Sequence, residues 1–197
     1  IISLFTFLLF HVPFFKFVFS ILDCKSLSGI TLIINLIILM LTLNACVFYF
    51  MFFLPKIIGK ILLVLFFNIN AIAIYFINTY SVIIDETMIG NILNTNYEES
   101  SSFFSFGLII YLLFFGIIPS IFIIKVKIIN ESLKKKLITF LLTFIFIVSL
   151  VFANSSSWLW IDKHSTKLGA LVMPWSYVIN TSRFYIHKSQ ENKKEIL

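Results

Sequence analysis

Long apolar runs, punctuated by short polar clusters, set the pattern of this chain. The stretches 26–55, 61–84, 100–124 and 137–161 carry no Asp, Glu, Lys or Arg. Each exceeds the ~20 residues that cross about 30 Å of hydrocarbon as a helix. Backbone groups in lipid must bond internally, and none of these runs alternates as a barrel strand does, so the pattern predicts helices. The opening stretch to Phe15 is apolar but short, and it contains His11 and Pro13. It predicts the remainder of a first span, with Pro13 near its exit. The first residue is Ile rather than Met, which predicts a natural start further upstream. Five spans follow, at 1–18, 29–54, 60–82, 106–125 and 137–155. The expected fold is an all-α membrane protein of five transmembrane helices, with residues 1–155 as the membrane domain and 156–197 as a segment bridging to a further domain.

Composition agrees with this pattern and narrows it. Of 197 residues, 60% are hydrophobic and 12% charged, and 25 are Phe. A soluble domain carries about 25% charged residues, so a solvated shell around a core of this size is excluded, as are disorder and a disulfide scaffold. Cys24 stands in a polar break and Cys46 deep in the next apolar run, too far apart along a helix to pair. No Cys/His spacing suggests a zinc site.

Net charge is +6, but placement decides its meaning. The second and fourth connections hold Lys56, Lys60, Lys125, Lys127, Lys134, Lys135 and Lys136. The third, 85–105, holds Asp85, Glu86, Glu98 and Glu99 and no base. By the positive-inside rule the lysine loops and the N-terminus are cytoplasmic, and the third connection and the C-terminus face outward. The bases beyond Phe152 (Lys163, Lys167, Arg183, Lys188, Lys193 and Lys194) run against that rule. Long segments translocate largely regardless of charge.

The acidic connection carries the candidate chemistry. Asp85 predicts an N-cap, and the segment 86–99 lacks Pro, which predicts an interfacial helix. On one helix Asn91, Thr95 and Glu99 would share a face at i, i+4 and i+8. A carboxylate suits an ammonium group, and an amide and a hydroxyl suit phosphate or glycerol oxygens, so this face could bind a lipid headgroup. Among the intramembrane polar residues, Asn35, Asn44, Asn68 and Asn70 predict helix–helix contacts. Trp158 and Trp160 predict an interfacial belt. His164 and Thr166 predict a polar juxtamembrane loop, and His187 a solvated side chain.

The run Tyr75-Phe76, Tyr80, Val82, Asp85, Met88, Asn91, Thr95, Glu99 resembles the signature of bacterial phosphoethanolamine transferases. These lipid A-modifying enzymes include the mobile colistin-resistance proteins. Pro13-Phe14-Phe15, the Gly107–Lys127 segment with Gly116-Ile117-Ile118-Pro119, and Pro174-Trp175-Ser176-Tyr177 extend the similarity over most of the chain. The resemblance implies a five-helix inner-membrane domain followed by a periplasmic catalytic domain with zinc and a threonine nucleophile. That domain moves phosphoethanolamine from phosphatidylethanolamine to lipid A or another envelope acceptor. It also implies that Asn91, Thr95 and Glu99 bind the donor. No nucleophile context and no zinc ligand set stands in these 197 residues, so the resemblance assigns this chain anchoring and donor binding, with no cofactor of its own. A small multi-span transporter component and a non-catalytic remnant of a truncated gene are the alternative expectations.

Overall fold

In the computed structural model, residues 2–127, 131–153 and 155–195 are described, and all regular structure among them is helical. The first helices are α1 (Ile2–Phe10), α2 (Val12–Ile21), α3 (Leu27–Met51) and α4 (Lys56–Tyr80). Two short helices follow, α5 (Glu86–Asn94) and α6 (Tyr97–Ser102). Then come α7 (Phe106–Lys125) and α8 (Leu133–Ala153), and finally α9 (Trp158–Lys163), α10 (Ser165–Leu171) and α11 (Trp175–Glu195). Four of them, α3, α4, α7 and α8, are long and apolar enough to cross a membrane, and the bent pair α1–α2 makes a fifth candidate.

Span boundaries lie within a few residues of those the charge pattern marks. The helices α4 and α8 begin before the apolar runs do, because Lys56, Lys60 and Lys134 to Lys136 sit inside their first two turns. Long lysine stems lie along apolar surface while the ammonium stays at the edge. Two of these ammonium groups meet the carbonyl ends of neighbouring helices. Lys60 Nζ donates to the Ile124 carbonyl at 2.5 Å and Lys136 Nζ to the Phe52 carbonyl at 2.7 Å. Cations there complement the negative helix termini. At the same end Glu131 accepts from Lys135 Nζ at 2.6 Å and from the Tyr49 hydroxyl at 2.8 Å. Those bonds, that of Lys135 first, hold its carboxyl below the ordinary carboxylate range.

The first span differs from expectation. It bends by 57° between α1 and α2, and Pro13 stands in the first turn of α2 rather than at the exit. Proline has no N–H and its ring crowds the preceding turn, so the helix breaks just before it. Phe10 and Phe14 at this bend are almost fully buried, and Phe10 packs on Phe67 of α4 and Phe115 of α7.

Close approach of α4 and α7 centres on Gly116. A Cβ there would lie 2.7 Å from Asn68 Oδ1. Residues Leu112–Ile117 form a π-helical turn ahead of Pro119, the usual way to absorb a missing ladder bond. Ser120 Oγ donates to the Gly116 carbonyl at 2.7 Å, and Asn68 Nδ2 donates across to Ser120 Oγ at 3.2 Å. Asn68 thus joins two spans, as an intramembrane amide is expected to do. Asn44 and Asn70 are buried as well. The α8 helix has no buried residue and lies along α3.

Candidate headgroup site at the acidic connection

The connection between α4 and α7 is built from caps. Tyr80 ends α4, and Ser81 turns the chain in the left-handed region at φ 54°. An extended stretch follows to Asp85, whose Oδ1 accepts the Met88 N–H at 2.8 Å and starts α5. The N-cap role expected of Asp85 is therefore present.

The single helix expected over 86–99 is not. The α5 helix stops at Asn94, Thr95 is extended (ψ 128°), and α6 starts at Tyr97. Asn96 Oδ1 accepts the Glu99 N–H at 2.9 Å and caps the second helix. The sequence Asn-Thr-Asn explains the break, since such side chains bond nearby backbone and favour caps over helix interiors. Asn91, Thr95 and Glu99 consequently do not share one helical face. Asn91 is exposed on α5 and Thr95 is half-buried at the junction, while Glu99 is exposed on α6. Asn91 and Thr95 are brought together, with Thr95 Oγ1 donating to the Asn91 carbonyl at 2.7 Å.

Rigid partners frame this connection on two sides. On the bundle side Tyr75, Phe76, Tyr80, Phe103 and Tyr111 pack edge to face or stacked at 5.4–5.9 Å between ring centroids. The Tyr75 hydroxyl shares a hydrogen bond of 2.6 Å with Ser105 Oγ, which also caps α7 by accepting the Leu108 N–H. On the other side α11 packs on α5. The buried Asn180 Nδ2 donates to the Ile84 carbonyl at 2.7 Å, and the Ile84 N–H donates to the Ala170 carbonyl at 3.2 Å. Gly90 admits the ring of Phe184, which a Cβ would approach to 3.0 Å.

His187 is not simply solvated, for its Nδ1 lies 2.6 Å from Glu86 Oε1. The bases Arg183 and Lys188 ride on the same helix, so part of the charge that ran against the topology rule belongs to an element docked on the acidic connection. Thr166 stands in α10 rather than in a loop, and His164 is the turn between α9 and α10, its Nδ1 bonded to the Trp160 carbonyl at 2.8 Å. Burial pushes the Tyr177 hydroxyl, on the first turn of α11, far above its ordinary range. Asn180, Phe184 and His187 are the residues that sequence reasoning missed. Their i, i+4, i+7 spacing was the available signal, and it stood in a helix too polar on average to draw attention.

Among the described residues no three His, Cys, Asp or Glu stand together as a metal site. The groups that the connection presents are those of hydrogen bonding and charge: an amide, a hydroxyl and carboxylates.

Comparison with known proteins places these features in context. Residues 42–189 match the family described as phosphoethanolamine transferase EptA/EptB. The chain is 32% identical over 176 residues to phosphoethanolamine transferase EptA of Helicobacter pylori (strain ATCC 700392 / 26695), covering 89% of this chain and 33% of that protein. Its fold is similar to that of the integral membrane protein lipooligosaccharide phosphoethanolamine transferase A (EptA) from Neisseria meningitidis, with a TM-score of 0.81 at 19% identity. That likeness covers 97% of this chain and 36% of the other. The chain thus spans about a third of the length of the relatives it matches.

Proposed function

The chain belongs to the EptA/EptB phosphoethanolamine transferases, as the membrane domain of that family, and from that premise we propose that it anchors the enzyme and binds the phosphatidylethanolamine donor. The donor headgroup sits at Asn91, Thr95 and Glu99. Residues 1–155 form the bundle, with its lysine end in the cytoplasm, and 156–197 form the bridge to a periplasmic catalytic half. That half transfers phosphoethanolamine to lipid A or another envelope acceptor. A zinc ion and its ligands belong to it, and no step is assigned to zinc in these residues.

What carries this reading is the docking of α11 on α5 through Asn180, Phe184 and His187. It holds the bridge against Ile84, Glu86 and Gly90, on the same connection that carries Asn91 and Thr95, which supports a catalytic half positioned near the headgroup. Holding donor and nucleophile in register is the contribution such a domain makes. The roles of the three residues divide by donor capacity. Thr95 Oγ1 already gives its hydrogen to the Asn91 carbonyl, so it presents lone pairs. With the Glu99 carboxylate it suits the ammonium. The Asn91 amide supplies N–H donors to the phosphate oxygens.

The test is Glu99→Ala in the full-length protein. Transfer of phosphoethanolamine to lipid A, read by mass spectrometry, is expected to fall sharply while the protein still fractionates with the inner membrane. Undiminished transfer overturns the assignment of Glu99.

A further inference from the structure

We propose that a crevice between the bundle and the bridge seats one acyl chain of a phospholipid standing in the same leaflet as the acidic connection. The crevice has a volume of about 250 Å³. Its walls are Phe14 of α2, Leu32 to Met40 of α3, Leu150 and Val151 of α8, and the inner side of α9 and α10. The α3 residues belong to the first half of that span and the α8 residues to its last turn. Both halves adjoin the end of the bundle where the acidic connection lies, so the crevice lies at acyl depth there.

The bridge covers it as an amphipathic lid. Trp158 and Ile161 of α9, Ser165, Leu168 and Gly169 of α10, and Val172 just past it line the crevice. Asp162, Lys163, Thr166 and Lys167 are exposed. Such a segment lies in the plane of the interface with its charged face toward the headgroups. Lys163 and Lys167 then stand at the level of lipid phosphates, and Lys167 Nζ lies 5.7 Å over the Phe17 ring. Apart from Asn35 and Ser165 the wall is apolar, which suits a hydrocarbon chain better than a headgroup or a column of water.

Gly169 is the second observation. It stands in α10, where glycine is less favourable than alanine by about 0.5–1 kcal/mol. Its φ is not positive, and a Cβ built on it meets nothing within 4 Å. Neither backbone nor packing requires glycine there. What its missing side chain leaves is open space on the crevice wall, and a flexible hydrocarbon chain fits that space. Ala170, in the last turn of the same helix, supplies the carbonyl that accepts the Ile84 N–H. One short element therefore forms the wall of the crevice and touches the acidic connection.

The test uses the full-length protein in nanodiscs containing phosphatidylethanolamine or, separately, phosphatidylglycerol, each with a diazirine on one acyl chain. Photolabelling is expected at Leu36 and Val151 as well as at outward residues of α8 such as Leu142. In Gly169→Phe the crevice labels are lost and the Leu142 label persists, while Gly169→Ala behaves as the wild type. Ser165→Phe fills the same space from the preceding turn, so if one variant fails to fold the other decides. Labelling by both lipids identifies a resident phospholipid, and labelling by phosphatidylethanolamine alone identifies the donor; both uphold the seat. Crevice labels that persist in the filled variants, or that are absent in the wild type with both lipids, overturn it. Glu99→Ala leaves crevice labelling by phosphatidylglycerol unchanged, so the seat and the headgroup assignment fail separately.

Discussion

Asn180 and Ile84, 96 residues apart, are joined by a buried hydrogen bond of 2.7 Å, the side-chain amide donating to the main-chain carbonyl. Ile84 immediately precedes the cap that starts α5, so this bond fixes where the acidic connection begins. Removing the amide leaves a buried carbonyl unpaired, at a cost of about 1–3 kcal/mol. Asn180→Leu is therefore expected to raise hydrogen exchange of α5 and α11 amides without affecting α3 or α4.

Gly90 provides a steric counterpart. A side chain there meets Phe184 at 3.0 Å, which an alanine accommodates through a small ring shift and a valine does not. Gly90→Val is expected to undock α11 and speed proteolysis after residue 175, with Gly90→Ala close to wild type. In the full-length enzyme the valine variant lowers transfer although Asn91, Thr95 and Glu99 are all retained.

Inside the membrane the corresponding point is Gly116, where a Cβ would come within 2.7 Å of Asn68 Oδ1. Gly116→Val is expected to destabilise the α4–α7 pair by about 1–3 kcal/mol. A lower melting temperature in detergent, with α8 insertion intact, is the measurement. Unchanged melting contradicts the close approach.

Two groups give opposite pH dependences. Glu131 is held below the usual carboxylate range by Lys135 and then Tyr49. Its contribution is full above the unfolded carboxylate value of about 4.3 and is lost as pH falls through the depressed folded one. Tyr177 is raised by burial. Its contribution is full below about pH 10 and is lost as pH rises beyond that. Thermal melts of Glu131→Gln are expected to lose part of the acid sensitivity, and those of Tyr177→Phe part of the alkaline sensitivity.

The spans were legible because lipid imposes a minimum apolar length, and charge-free runs such as 26–55 leave little choice of element. Local caps were legible too, as Asp85 shows. Two features escaped the sequence for different reasons. The break at Thr95 is a contest between helix propensity and the short-range bonds of Asn94, Thr95 and Asn96, and a spacing rule applied to Asn91, Thr95 and Glu99 assumes its outcome. The docking of α11 depends on residues distant in sequence, where Asn180 finds Ile84 and His187 finds Glu86. No local pattern encodes those partners.

The α8 helix buries none of its residues and packs chiefly on α3. Its importance is one of parity. Between the acidic connection and the bridge the chain makes two crossings, α7 and α8, and an even number returns it to the face it left. Deleting α8 would leave the packed helices α3, α4 and α7 nearly intact, yet it would strand Asn180 and His187 on the opposite face from Ile84 and Glu86. A span that buries no residue can be exchanged for another apolar helix of equal length that keeps its side along α3 and the crevice residues Leu150 and Val151, provided that the count of crossings stays even.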